Sequence, residues 1–547
     1  MRALILMGCL LLATPAVAAL TAAEGKGWHE DLALLARELP RRHLDFYRAI
    51  TPAQFADSVR KLDARIPRMG RPQFAVGLLR LVAMAGPGNG HTYLFKTGDT
   101  FTDVFTAERN TPDALANLRT LGFGQLPVGF HLFRDSLYVN SAAPGYEDLL
   151  GARVTRIGRA SGEDAMRAVT PLVAKDNAEG ARANGPRYLA VPEILVGLRL
   201  TDDPGKVPLE VETPAGPVKR TLERLALDTP LIAQRPATVP LAWAHTDRYF
   251  WAQELPKQRA WYVQWNAVRD TKEQKAADFF TQTLDAFDRG PATRLILDLR
   301  WNPGGNTSLT QPVLLRLIRS PKLREHGSLV VLIGRETFSA AMNFCLALEY
   351  FTPAVFVGEP TGGSCGFFGD NAPLTLPHTG LVCHVSYVWW QLMDSRDERP
   401  WIAPGIAAEP SEADFAAGRD PALEAALDWK PPFDWNRAIA DSAVEGPPGV
   451  KAALAAWRAD ARARWTSVED GMNLAGYRLL GAGRTEEAIA VFGLGIELYP
   501  RSWNLYDSRG EANARAGHRT AALADYKHSL ALDPQNANAA DEVAKLR

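Results

Sequence analysis

The chain has 547 residues, 46% of them hydrophobic and 22% charged, with a formal net charge of −1. At roughly 150 residues per domain this length calls for three or four units, and the composition is globular, not disordered, collagenous or membrane-embedded. A near-zero charge gives no field to hold nucleic acid, which is not an expected partner; Cys345, Cys365 and Cys383, the cysteines beyond Cys9, make neither a disulfide framework nor a zinc cage.

Met1-Arg2, the apolar run Ala3 to Ala13, Thr14-Pro15 and the small triplet Ala16-Val17-Ala18 have the layout of a secretory signal peptide over residues 1–19. The run is short for a membrane span, and no later segment is long and apolar enough for one. The mature chain is therefore expected in the periplasm or secreted, with no transmembrane segment. Helical spacing at Leu32, Leu35, Ala36 and Leu39, then Phe74, Leu78, Leu79 and Val82, predicts a helical domain over 20–110. It breaks at Gly86-Pro87-Gly88-Asn89-Gly90-His91-Thr92, where glycine and proline forbid regular structure.

Short strands follow within 111–235: Phe130 to Phe133, Ser136 to Val139, Ala152 to Ile157, and a hairpin of Val207 to Glu212 with Val218 to Leu222. The stretch from Ala142 to Gly158 resembles part of a PDZ domain, and Thr170 to Asp203 departs from it as an insertion. Over 236–430 strands and helices alternate, with near-continuous apolar strands at Leu295-Ile296-Leu297 and Val330-Val331-Leu332-Ile333, as in an α/β core covered on both faces. Residues 431–470 read as a linker, marked by Pro431-Pro432 and Gly446-Pro447-Pro448-Gly449, and a helix around Ala452 to Arg462. In 471–547, Gly476 and Gly510, Gly483 and Gly517, Ala488 and Ala522, Phe492 and Tyr526, and Pro500 and Pro534 are each 34 residues apart. That is the tetratricopeptide period. Two repeats are few for a free-standing array, so the pair is expected to pack on the preceding helix or on a protein partner.

Two segments carry chemistry. Asp298-Leu299-Arg300-Trp301-Asn302-Pro303-Gly304-Gly305 ends a buried strand with a glycine pair, which leaves backbone N–H groups to hold an anionic oxygen. About 35 residues on, Thr337-Phe338-Ser339-Ala340-Ala341 places a serine between a buried strand and a helix. The local pattern fits a helix N-cap as well as a nucleophile.

Gly88-Asn89-Gly90-His91-Thr92, the Asp298–Gly305 segment, the Thr337–Ala341 segment and Val357-Gly358-Glu359-Pro360-Thr361-Gly362-Gly363, in this order, resemble the C-terminal processing (tail-specific) peptidases. Tricorn core proteases and interphotoreceptor retinoid-binding proteins are related to them. The resemblance implies a multidomain α+β chain: an N-terminal helical bundle, a PDZ-like β module, a crotonase-like α/β core, and the tetratricopeptide pair as an addition. It further implies Ser339 as nucleophile, with an oxyanion hole from the Ala340 N–H and that of Gly304 or Gly305. The bacterial members use a lysine in the glycine-rich loop as base; Ser364, 25 residues past Ser339, takes its place here. Tricorn-type members use a histidine preceded by a serine, and a glutamate past the nucleophile. His91 matches that histidine, Gly90 stands where the serine would, and Glu398 is favoured for the glutamate over Asp394 and Asp397.

His378, Cys383 and His384 cluster, but neighbours on a strand point to opposite faces, so no metal site is expected. Tyr387, Trp389 and Trp390 are read as core or cleft wall. Two functions remain in view: a cofactor-free exported serine peptidase acting on peptides or protein tails, and a binding scaffold that keeps the fold without turnover.

Overall fold

The computed structural model describes residues 21–95, 115–236, 238–431 and 433–546. The expected leader, 1–19, lies outside them, as does Pro432. No helix among the described residues is long and apolar enough to cross a membrane. The chain divides into two compact units, one running up to Ile402 and including Glu409–Leu427, the other made of Ala403–Ala408 and the residues from Asp428 on.

The first unit opens with three helices, α1 (Ala22–Arg42), α2 (Pro52–Asp63) and α3 (Arg71–Ala83). Thr21 with Glu24 and Thr51 with Gln54 form reciprocal capping boxes that satisfy the first free N–H groups. The apolar positions at helical spacing, Leu32, Leu35, Leu39, Phe74, Leu78, Leu79 and Val82, are all buried. A sheet of β1 (Val128–Phe133), β2 (Ser136–Ala142), β3 (Arg153–Ile157), β4 (Lys206–Thr213) and β5 (Gly216–Glu223) follows, antiparallel and in chain order. The segment read as an insertion carries helix α4 (Ala178–Leu189), capped by Asn177, whose side chain accepts from Gly180 N. One hydrophobic cluster joins these helices to the sheet.

The α/β core is built from β6 (Phe250–Leu255), β7 (Ala260–Trp265), β8 (Arg294–Asp298), β9 (Leu329–Ile333) and β10 (Val355–Gly358), in the order β10-β9-β8-β7-β6. All neighbours are parallel except β6 and β7. Helices α5 (Ala276–Arg289), α6 (Thr310–Arg319) and α7 (Ala340–Phe351) follow β7, β8 and β9 in the chain, and their buried faces share a second cluster with the strands. Every residue of β9 is buried, as its unbroken apolar run requires. A two-stranded ribbon, β11 (Phe367–Thr375) and β12 (Val382–Trp390), completes this unit.

The second unit is helical: α8 (Trp435–Ser442), α9 (Pro447–Ala459), α10 (Glu469–Gly481), α11 (Thr485–Leu498), α12 (Trp503–Arg515), α13 (Arg519–Leu532) and α14 (Ala537–Leu546). The 34-residue spacing appears as repeated packing: Gly476 lies against the Phe492 ring and Gly510 against the Tyr526 ring. The expected linker is different. Pro447 and Pro448 start helix α9 instead of interrupting the chain, because the first turn of a helix has no use for their missing N–H groups.

Candidate active site

The turn after β9 is closed by Thr337 N donating to Gly334 O (2.9 Å) and by Gly334 N donating to Thr337 Oγ1 (3.0 Å). Ser339 follows at φ 53° and ψ −123°, immediately before α7. A positive φ at a non-glycine residue costs on the order of 1–3 kcal/mol and persists only where the surroundings impose it. Here Phe338 N donates to Asn302 O at 3.0 Å, tying the turn to the loop after β8. Ser339 occupies the N-cap position, yet its side chain accepts no helix N–H. Its Oγ lies 2.9 Å from Nε2 of His91.

His91 arrives on a loop fixed from three sides. On the ribbon side, Phe368 N donates to Gly88 O (2.7 Å), Tyr93 pairs with His384, and Ser386 N donates to Thr92 Oγ1 (3.1 Å). On the helical side, Asn89 Nδ2 donates to Ala85 O (2.8 Å) while Asn89 Oδ1 accepts from His43 Nε2 (2.5 Å). His43 Nδ1 in turn accepts from Asp45 N (3.1 Å), which fixes that ring as the neutral Nε2–H tautomer; burial pushes its pKa down accordingly. From the segment before α4, Asp176 Oδ1 accepts from Gly90 N at 2.7 Å. The His91 ring lies nearly parallel to the rings of Phe338 and Phe367, with centroids 4.6 and 5.5 Å away.

The glycine pair backs onto the same serine. Gly304 has φ +105°, and a Cβ there would stand 2.6 Å from Ser339 Cβ and 2.8 Å from Ala340 N, so only glycine fits. The Gly304 N–H is taken by Asn302 Oδ1 (2.9 Å), and Asn302 Nδ2 donates to Trp265 O (2.8 Å). The N–H groups of Gly305 and Ala340 make no hydrogen bond among the described residues. A cavity of about 470 Å³ opens here, with His91, Ser339, Gly305, Arg187, Arg269 and Trp390 among its walls.

No family model matches the sequence, and no curated protein matches it. Solved structures do. Over 74% of this chain and 97% of that one, it superimposes on mature CPAF complexed with lactacystin, with 12% identity and a TM-score of 0.50. The photosystem II D1 C-terminal processing protease aligns over 74% of this chain and 99% of its own, at 14% identity and TM-score 0.32. The tricorn protease aligns over 74% and 36%, at 14% identity and TM-score 0.32. The likeness to mature CPAF is one of fold.

Within this fold, Glu398 does not reach the imidazole. Its stretch folds into tight local turns in which Arg396 pairs with Asp394 and Arg399 with Asp397 and Glu349, and the Glu398 side chain is left exposed. Arg396 also holds Asp394 down at about pKa 2. Neither Glu398 nor the alternatives Asp394 and Asp397 contact His91. Ser364, in the place of the family lysine, is buried and donates from Oγ to Asp176 O (3.2 Å) and Pro400 O (2.9 Å). His378 pairs with Glu30 (2.6 Å), His384 hydrogen-bonds Asn371 (3.0 Å), and Cys383 is a buried free thiol. Trp390 lines the cavity, whereas Trp389 packs on Phe368 and Tyr387 is exposed. Asn302, Asp176 and the phenylalanine pair around His91 were not singled out by sequence; the one local signal was the Asp176-Asn177 pair ahead of a helical pattern, a cap signature.

Proposed function

We propose that the chain is a serine peptidase acting on peptides or protein tails, with Ser339 as nucleophile and His91 as general base. The 2.9 Å contact between Ser339 Oγ and His91 Nε2 carries this reading, because that serine hydroxyl is turned away from the helix cap it would otherwise form. His91 Nε2 accepts the hydroxyl proton as Oγ attacks the carbonyl carbon of the scissile bond. The tetrahedral oxyanion takes hydrogen bonds from the N–H groups of Gly305 and Ala340, at the N-terminus of α7 where the helix dipole favours negative charge. Gly304 serves by shape, since its N–H is engaged with Asn302. The imidazolium then gives its proton to the leaving amine, the acyl-enzyme forms, and water releases the product along the reverse proton path. No step calls on a metal or organic cofactor.

Around this centre, the β1–β5 sheet is read as a PDZ-like module that holds an extended peptide by strand addition. The β6–β10 core is read as crotonase-like, and the 34-residue helical repeats as a tetratricopeptide pair that recruits a protein partner. Export to the periplasm or beyond follows from the leader.

Labelling of the full-length protein by a fluorophosphonate, compared with Ser339→Ala and His91→Ala, tests the chemistry. Wild type is expected to label and both variants to fail. Folded wild type that stays unlabelled across neutral pH, with and without peptides, replaces this reading with the binding scaffold.

A further inference from the structure

Three residues just ahead of α4 join two loops that never meet in the sequence. The first loop carries His91: Gly88 N donates to Asp176 O (2.8 Å), Asn89 N to Lys175 O (3.1 Å) and Gly90 N to Asp176 Oδ1 (2.7 Å). The second is the glycine-rich loop after β10. Ser364 N donates to Asp176 Oδ2 (3.5 Å), and Asn177 Nδ2 reaches Thr361 O (3.0 Å), Gly363 O (3.2 Å) and Pro400 O (2.6 Å). That loop is fastened to the nucleophile turn, since Gly363 N donates to Thr337 O at 3.1 Å. Asp176 is 1% exposed and Asn177 5%. A buried carboxylate that spends one oxygen on each loop is a poor choice for packing alone, because burial penalises its charge and no cationic side chain pairs with it among the described residues. It is well suited to fixing two backbones against each other.

We propose that Asp176 is a positioning residue for the Ser339–His91 pair, its two side-chain oxygens locking the Gly90 and Ser364 backbones so that the imidazole meets the serine. The assignment rests on the serine-peptidase reading above. In it, Asp176 acts through the peptide next to the histidine and not through the ring. It also accounts for Ser364: the position of the family lysine is used here to anchor the clasp.

Asp176→Ala and Asp176→Asn in the full-length chain separate this from a merely structural role. With a fluorophosphonate as probe, Asp176→Ala is expected to lower the maximal labelling rate by roughly 10- to 100-fold with little change in the half-saturating concentration, as sub-ångström misplacement of a base does. Asp176→Asn keeps an acceptor for Gly90 N and is expected to recover most of the rate. The 15N resonances of the His91 ring, identified by their loss in His91→Ala, are expected to shift in the Ala variant and stay near wild type in the Asn variant. If Asp176→Ala does not fold, Asp176→Asn is compared with Asp176→Leu, isosteric but without an acceptor; labelling of the folded Leu variant at the wild-type rate overturns the proposal, as does wild-type labelling by Asp176→Ala. Failure of wild type itself to label falls on the peptidase reading instead, so the two outcomes are distinct.

Discussion

A Cβ on Gly90 would stand 2.7 Å from the Phe338 ring and 3.0 Å from Asp176 Oδ1, so the residue before His91 is held to glycine by two neighbours at once. Phe338 and Asp176 already fill the space that a larger side chain at position 90 would need. Gly90→Ser is expected to cost about 1–3 kcal/mol by overpacking and to cut fluorophosphonate labelling at least about tenfold; wild-type labelling with an unchanged unfolding midpoint would remove Gly90 from the account. Asp176 gives a second expectation at this scale. Burial raises its pKa from 3.8 to about 7, so between those values the native state keeps a proton that the unfolded chain has lost. Stability from this group is full below about pH 4 and falls as pH rises through 7, by at most about 4 kcal/mol. In urea titrations the Asp176→Asn protein, which cannot titrate there, is expected to gain on wild type as pH goes from 4 to 8; parallel curves would refute it.

Strand β9, turn and helix α7 form a joint whose geometry was legible because it is written in contiguous residues. The apolar run Leu329–Ile333 and the apolar positions after Ser339 each sit where the pattern puts them. What escaped was set by residues distant in the chain. Glu398 was favoured from its order after Ser339, but order does not say which way a loop folds, and the arginines at 396 and 399 close that loop on its own carboxylates. Asp176 lay in the one stretch with no matching pattern, and its partners at Gly90 and Ser364 are 86 and 188 residues away. Whether Ser339 caps its helix or faces His91 turns on a single φ, which composition and spacing do not encode. At the same joint, Gly304→Ala would force a Cβ into Ser339 at a φ that L-residues avoid. Loss of labelling is expected, with about 1–3 kcal/mol of strain. Gly481→Ala, whose Cβ meets nothing within 4 Å, is the matched control and is expected to leave labelling intact.

Over the whole molecule, the α/β core and the helical repeats rest on separate hydrophobic clusters, one around Trp265, Phe280 and Phe344, the other around Met472, Phe492 and Leu505. Each is large enough to melt as its own cooperative unit. Phe492→Ala is expected to remove about 3–5 kcal/mol from the repeat unit alone. Calorimetry should show one transition moved and another in place, with labelling unchanged; a single transition shifted as a whole would mean that the units fold together. The repeat period was readable from the sequence, because it recurs at a fixed spacing. The start of the helical region was not, since Pro447-Pro448 signals a break and a helix beginning equally well.

His91 and Ser339 are 248 residues apart in the chain. Without the loop that bears the histidine, Ser339 would be an ordinary alcohol. On the peptidase reading, labelling during refolding is expected to lag behind the recovery of buried-tryptophan fluorescence, as long loop closure is slow relative to local folding; labelling that returns in step with the fluorescence would refute it. On the peptidase reading, a chain whose histidine loop has not docked would carry a serine without its base, and would leave neighbouring proteins uncut.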